Sequence, residues 1–318
     1  MREGSRRRLA PRGSGPARGL PLAAHHRRRR AVALAVLALV ALILGIVVGA
    51  GSGGGSTVVQ HVAAPRTGYF ARIRTLAGGG AGSFAAVQQG EESAAITRTL
   101  AYMPAIRFAG TQHREIALTF DDGPGPYTLQ LLSVLDRYHV PATFFEVGVE
   151  EQYFHAGTAA IVAHGDPIGD HTENHAPMSK LSAKDQQSQL LSETAAIGTS
   201  GAPFPRMFRP PYGLWNSATL SLLKRYKMLM ILWSADTSDY TVPGTAAIIQ
   251  RALAGAKPGA IILMHDAGGN RVETIAALPK IIKKLRARGY KLVTVPRLIL
   301  DNPPPKNQDL TTLQGSGG

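Results

Sequence analysis

Apolar and polar positions along the chain change rhythm at about residue 114, where short apolar runs begin to alternate with longer amphipathic segments. The runs Glu115–Phe120 (EIALTF), Ala142–Val147 (ATFFEV), Pro167–Gly169, Met207–Arg209, Met228–Trp233 (MLMILW), Ala260–Met264 (AIILM) and Lys291–Val295 (KLVTV) read as strands. Between them, Leu129, Leu132 and Leu135 recur at helical spacing, and Thr245–Leu253 and Ile275–Leu285 behave likewise. Strands alternating with helices imply parallel strands joined by crossover helices. Seven such units predict an α/β domain over residues 113–301, built as a compact, deformed (β/α) barrel with about seven parallel strands. A shorter run of the same units would make an open sheet instead.

Upstream the pattern is different. Residues 31–50 (AVALAVLALVALILGIVVGA) carry no charge over twenty positions, which at ~1.5 Å per residue spans the ~30 Å of a bilayer core. Arg27–Arg30 stand directly before this run, so positive-inside logic predicts an N-terminal transmembrane signal anchor, with the rest of the chain extracytoplasmic. Val48-Gly49-Ala50 offers small residues for cleavage, the alternative of a removed signal peptide. Residues 51–112 open with GSGGGS and show no sustained period; they read as a Gly-rich linker and stalk with one or two short elements. Residues 302–318, Pro-rich and then polar, read as a loose C-terminal tail.

Charge and composition narrow the function classes. The net charge is +14, but residues 1–30, a basic cytoplasmic tail, hold ten Arg and one Glu, a balance of +9. The remaining 25 Lys+Arg against 20 Asp+Glu leave only +5 for the rest. A nucleic-acid reading would rest on that tail alone, and the anchor explains the tail better; no nucleic-acid partner is expected. With no cysteine there is no disulfide, thiolate metal site or cysteine nucleophile.

The polar residues that remain cluster after the strands: Asp121-Asp122 after the first, His171 after the third, Arg209 at the fourth, Asp236 and Asp239 after the fifth, His265 after the sixth. In parallel α/β architectures that edge is where sites are built. Two adjacent carboxylates repel, so one is expected to be neutralised by a cation or a proton. His171 and His175, four residues apart, converge on a helix face or in a loop, though two exposed histidines in a polar loop would give the same spacing. Combined with an Asp, they leave a tetrahedral metal site with one position open for water.

In this order, these segments resemble the polysaccharide deacetylase family (carbohydrate esterase family 4, the NodB homology domain). TFDDGP at 119–124, HTENH at 171–175, RPPYG at 209–213, DTSDY at 236–240 and LMH at 263–265 are similar to its five motifs, spread over about 185 residues. The resemblance implies a deformed (β/α) barrel. It also implies roles: Asp122, His171 and His175 as ligands of a divalent metal, zinc by the family's habit; Asp121 as general base; His265 as general acid. Arg209 would orient Asp121, Asp239 would orient His265, and the Tyr212 backbone N–H would help hold the oxyanion. Leu263 would line the acetyl pocket. One departure is visible: the fourth motif usually ends in Trp, and here it ends in Tyr240, an aromatic wall of different size.

The chemistry asks for the same set. An amide carbonyl is a poor electrophile and needs a Lewis acid, which also acidifies water from pKa 15.7 to roughly 7. An amine leaves only when protonated, and an imidazole held by a carboxylate can supply the proton. Arg209 beside Asp121 is expected to lower the pKa of that carboxylate. Trp215 could stack on a sugar or cap a helix against the core. Trp233 reads as core, Asp236 as a turn former or a supporting residue, Asp266 as a turn or hydrogen-bonding residue, and residues 268–271 as a flexible rim.

The reading that follows is a membrane-tethered, metal-dependent hydrolase that removes N-acetyl groups from amino sugars of a cell-surface polysaccharide, with peptidoglycan favoured by location. Chitooligosaccharides and O-acetyl xylan are alternatives with the same chemistry. A catalytically inactive glycan-binding module is the rival from another class, and its signature would be loss of a base, acid or ligand. Oligomeric state is not legible.

Overall fold

The computed structural model describes residues 81–310. The basic tail, the apolar run at 31–50 and the first part of the expected linker lie outside the described residues. Among the described residues no helix is long and apolar enough to cross a membrane.

All seven expected strands form: β2 (Glu115–Asp121), β3 (Thr143–Glu146), β4 (Ile168–Asp170), β5 (Met207–Phe208), β6 (Leu229–Ile231), β8 (Ile261–His265) and β9 (Lys291–Val293). Two short strands join them, β1 (Ala105–Ile106) and β7 (Ala235–Asp236). Every ladder is parallel, in the order β1-β6-β5-β4-β3-β2-β8-β7 with β9 also on β2. The crossovers include α2 (Thr128–Tyr138), α3 (Gly148–His164), α4 (Ala183–Gly198), α5 (Ser217–Tyr226), α6 (Thr245–Ala254) and α7 (Val272–Ala287).

The sheet is covered on both faces, which explains why β2 is an uninterrupted buried run. Ile116, Leu118 and Phe120 face the helical layer with Ile262 and Met264 of β8. Ala117 of β2 and Ile261 and Leu263 of β8 face the interior. Alternation then places Thr119, Asp121 and His265 on that interior face as well.

The sheet is strongly curled. Arg209 follows β5, three strand spacings from β2, or about 14 Å on a flat sheet. Its guanidinium nevertheless reaches Asp121 at 2.6 Å across the interior. No ladder among the described residues joins β1 to β7. The gap is spanned by an antiparallel bridge between Phe108 and Ala260 and by the chain running from β6 to β7. The outcome is a deformed, incompletely closed barrel.

Two expected boundaries differ from the structure. Residues 81–112, assigned to the linker and stalk, contain α1 (Ala81–Leu100) and β1, and Ala95, Ile96, Met103, Ala105 and Ile106 are buried in the same core cluster as the barrel interior. Small alanines and single large residues carry this burial, so no apolar period announces it. Residues 302–310, assigned to a loose tail, are docked beyond α8 (Val295–Asp301). Asn302 is fully buried, donating to Glu115 at 2.9 Å and accepting from the His113 N–H at 2.6 Å. Gln308 accepts the Arg107 N–H at 2.7 Å. These are side-chain bonds to distant partners, which hydropathy does not register.

Candidate active site

Parallel strands deliver their C-terminal ends to one rim. Asp121 ends β2 and His265 ends β8, and the two are direct register partners. Adjacent residues of a strand point to opposite faces. Asp122 escapes that rule because its φ is +74°, which turns its carboxylate back to the rim beside Asp121. Thr172, His175 and Tyr212 also have positive φ. Such conformations cost about 1–3 kcal/mol each and cluster where a site over-determines them. Asp170 supports one of them: its Oδ1 accepts the Thr172 N–H at 2.8 Å. Burial pushes the Asp170 carboxyl up to about 7, against the hydrogen bonds it accepts.

His171 and His175 converge in a loop rather than on a helix, their rings 5.0 Å apart edge to face. His171 Nδ1 donates to the Arg209 carbonyl at 2.6 Å, which leaves Nε2 as the free lone pair. His175 Nδ1 meets the Tyr212 hydroxyl at 3.1 Å. Both Nε2 atoms face Asp122 Oδ1, at 3.6 Å from His171 and 3.3 Å from His175. Burial lowers the pKa of both imidazoles, that of His171 well below the ordinary value, so both are neutral at pH 7. Asp122 Oδ1 is buried and accepts no hydrogen bond.

These three residues fit a divalent cation. A tetrahedral zinc with ~2.0–2.2 Å bonds sets its ligands ~3.3–3.5 Å apart, close to the separations found here. Neutral imidazoles, that of His171 fixed in tautomer by the Arg209 carbonyl, and an oxygen lacking a donor are what such an ion requires.

Asp121 sits beside this group, its Oδ2 3.7 Å from His171 Nε2 and its Oδ1 2.6 Å from Arg209. The Arg209 guanidinium lowers the Asp121 pKa, as expected from its place beside the carboxylate. Burial outweighs the guanidinium and raises Asp121 to about 6, still ionised at neutral pH.

On the far side, Asp239 accepts from His265 Nδ1 at 2.7 Å and from the His265 backbone N–H at 2.9 Å. Thr274 donates to the same carboxylate at 2.7 Å and Thr237 at 3.2 Å. Burial alone would depress His265, but Asp239, with Asp122 and Asp121 behind it, raises the imidazole to about 9. An NMR titration of the His265 ring is therefore expected to find its midpoint near 9. In Asp239→Asn it should fall toward the ~6.5 of a free imidazole or below it. An unmoved midpoint would remove Asp239 as the cause.

A cleft of about 440 Å³ opens over these groups, and Leu263, Tyr240 and Tyr212 are among the residues that line it. Tyr240 meets the His265 ring edge to face at 5.5 Å. Trp215 is not among the lining residues: it packs against the core, its indole N–H buried without an acceptor. Trp233, read as core, is buried in the interior cluster, and it also borders the cleft. Asp236 resolves as a turn former, accepting the Ser238 N–H at 2.6 Å.

The sequence reading missed three residues, Arg271, Thr274 and Glu150. Arg271, placed in a flexible rim, is buried, its guanidinium donating to the carbonyls of Ala267 at 2.6 Å, Gly268 at 2.9 Å and Asp239 at 3.3 Å. Thr274 props Asp239. Asp266, read as a turn or hydrogen-bonding residue, does bond: it is buried and accepts the Thr128 hydroxyl, and burial raises it to about 7. Glu150 lines the cleft from the first turn of α3. Only Arg271, a lone charge in a Gly-rich loop after the sixth strand, carried a signal that could have been weighed.

Comparison with known proteins bears on the same segments. The family described as polysaccharide deacetylase matches residues 109–231. A peptidoglycan-N-acetylglucosamine deacetylase of Bacillus cereus is 37% identical over 187 residues, covering 58% of this chain and 87% of that protein. A chitooligosaccharide deacetylase of Sinorhizobium fredii is 32% identical over 212 residues, covering 63% and 99%. Among solved structures, a peptidoglycan N-acetylglucosamine deacetylase in complex with 4-naphthalen-1-yl-N-oxidanyl-benzamide is similar at a TM-score of 0.61 and 28% identity, over 66% of this chain and 97% of that one.

Proposed function

Because the chain belongs to the polysaccharide deacetylase family, hydrolases of N-acetyl amides, we propose that it is a metal-dependent enzyme removing N-acetyl groups from amino sugars of peptidoglycan and releasing acetate. The observation that carries this reading is the convergence in one cleft of a His–His–Asp triad with neutral imidazoles, an arginine-held carboxylate and a carboxylate-held imidazole. A binding module that had lost catalysis would lack at least one of these groups, and all are present. The peptidoglycan assignment rests on the Bacillus cereus relative and on the apolar run at 31–50, which we read as an anchor holding the domain outside the cell and within reach of the wall.

In this mechanism Asp122, His171 and His175 would hold the metal, zinc by family habit, which would supply Lewis-acid polarisation of the acetamide carbonyl and acidify the attacking water. Asp121, ionised at neutral pH, takes the proton of that water through Oδ2, while its Oδ1 is fixed by Arg209. His265 Nε2 gives a proton to the departing amine, and Asp239 on Nδ1 keeps the ring charged and oriented. Leu263 closes the pocket on the acetyl methyl. The Tyr212 N–H is assigned to the oxyanion, and Tyr240 flanks the sugar beside His265.

The test is acetate release by the full chain, zinc-loaded and in detergent, from peptidoglycan, chitooligosaccharides and O-acetyl xylan. Release from peptidoglycan, abolished by a chelator and restored by zinc, is expected. Release only from chitooligosaccharides would keep the chemistry and overturn the polymer; the Sinorhizobium fredii relative makes that the second reading. Silence on all three with zinc bound would favour a glycan-binding protein.

A further inference from the structure

A buried cation beside the acid has no task in this mechanism. Arg271 borders the cleft and is only 2% exposed, directly before α7. Its guanidinium donates to backbone carbonyls alone: those of Ala267, Gly268 and Asn270 in its own loop, and that of Asp239 at 3.3 Å. Taking a guanidinium out of water for neutral acceptors is costly. What it gains is a hold on one strained turn.

That turn carries the partner of the acid. Asp239–Thr241 is a single short helical turn, closed by the Val242 N–H on the Asp239 carbonyl at 3.0 Å. Ser238 and Val242, on either side of it, have φ of +49° and +51°. Residues other than glycine hold such left-handed values only where their surroundings fix them. The start of α7 does so from outside. Arg271 donates to the Asp239 carbonyl, Thr274 donates to the Asp239 carboxylate at 2.7 Å, and Glu273 accepts the Gly244 N–H at 2.7 Å. Asp239 in turn accepts from His265 Nδ1 at 2.7 Å and from the His265 N–H at 2.9 Å, so the imidazole follows the turn. Tyr240, the next residue of that turn, meets the same ring edge to face.

We propose that Arg271 is a positioning residue for proton transfer: by clamping the turn of Asp239 it keeps His265 Nε2 aimed at the departing amine. This rests on the deacetylase reading above, in which His265 is the acid. It adds a residue that acts through Asp239 rather than on the substrate. Its effect is therefore confined to reactions that need the acid. In amide hydrolysis the C–N bond breaks as the nitrogen takes the His265 proton. In an aryl acetate the C–O bond breaks and the phenolate leaves with the electron pair, unprotonated, so the metal site and the base suffice. Misplacing a catalytic group by about 1 Å costs on the order of 10²-fold in rate, which is the size of effect expected.

The experiment compares acetate release from the preferred glycan with hydrolysis of 4-nitrophenyl acetate by the zinc-loaded full chain, with metal content measured alongside. Arg271→Met is expected to lower kcat on the glycan about 10²-fold with KM little changed. The same variant should keep its metal and hydrolyse the aryl ester at nearly the wild-type rate, a split that a general loss of structure would not produce. Thr274→Val removes one hydroxyl donor from the same turn; it should show the same split at smaller size, and it carries the test if Arg271→Met does not fold. Added to Asp239→Asn, either substitution should cost little more on the glycan, because both act through that residue. This last comparison needs the glycan alone.

Equal losses on glycan and ester would overturn the proposal, as would losses that add to that of Asp239→Asn. The Gly268 backbone lies so close to the Asp122 carboxylate that a Cβ there would collide with it. Equal losses accompanied by loss of metal would thus make Arg271 a support of the metal loop instead. A wild type that hydrolyses the ester but releases acetate from no glycan would overturn the deacetylase reading and the proposal with it.

Discussion

Asp121→Asn is expected to lower acetate release about 10²- to 10⁴-fold, the range of a lost general base, while the protein still binds one divalent metal. Asparagine keeps the shape of the side chain and can still accept from Arg209, which lies 2.6 Å from Asp121 Oδ1, but it cannot take a proton at neutral pH. Metal content is the decisive companion measurement. Asp121 Oδ2 stands 3.7 Å from His171 Nε2 and Asp122 Oδ1 stands 3.6 Å from it, so distance to that histidine does not choose between the carboxylates. Two other observations do. Asp121 is committed to Arg209, whereas Asp122 Oδ1 accepts no hydrogen bond and is nearer His175, at 3.3 Å. Loss of metal in the Asn variant would make Asp121 a ligand and overturn its role as base.

The wild-type pH profile carries the same assignment. Activity requires Asp121 ionised and His265 protonated. Burial raises Asp121 to about 6. A bound cation favours its charged form, so the acid limb belongs at or below that value. The same cation offsets the Asp122 and Asp121 charges that help raise His265, so the alkaline limb belongs at or below about 9. Asp121→Asn should remove the acid limb from the residual activity and leave the alkaline limb in place.

The strands were legible because a parallel sheet covered on both faces needs continuous apolar runs, and runs such as EIALTF at 115–120 have no other stable use. Register was legible in part: alternation along β2 and β8 sends Ile116, Leu118 and Phe120 to the helices and leaves Asp121 and His265 inside. The chemistry-bearing side chains stood out because ionisable groups at strand ends contrast with the runs before them. Residues whose role is set by tertiary contact were not legible. Thr274 is one threonine in a helical segment until Asp239 is brought to 2.7 Å from it. Trp215 and Trp233 are equivalent as letters, and only the curl of the sheet decides which one meets the cleft. The shift of Asp121 depends on how completely it is buried, which no local spacing encodes. α1 and residues 302–310 were passed over because alanines and single side-chain bonds, not an apolar period, attach them.

Arg209 ties the fold to the site, and its replacement is expected to have the largest effect on stability. The guanidinium is fully buried across the interior. It donates to Asp121 at 2.6 Å, to the Thr119 hydroxyl at 2.9 Å and to the Ile231 carbonyl at 3.0 Å, and it lies over the Phe145 ring at 4.0 Å. These partners belong to β2, β3 and β6, so one side chain spans the curl. Arg209→Met keeps much of the volume but leaves a buried carboxylate, a hydroxyl and a carbonyl without their donor. Breaking a buried pair from one side costs about 3–5 kcal/mol, and urea unfolding should read a loss of that order. The loss should depend on pH with a definite sign. Without the guanidinium, Asp121 titrates above its present value of about 6. Below that pH the carboxyl is protonated in both proteins and the deficit is smallest. Above it only the wild type ionises at no further penalty, so the deficit grows with rising pH. Adding Asp121→Asn to Arg209→Met removes the orphaned charge. The double variant should then be more stable at pH 8 than Arg209→Met alone, a non-additivity that identifies the pair as the coupled element. Additive losses would mean that Arg209 supports the barrel through its hydroxyl, carbonyl and aromatic neighbours and that its contact with Asp121 is incidental to stability.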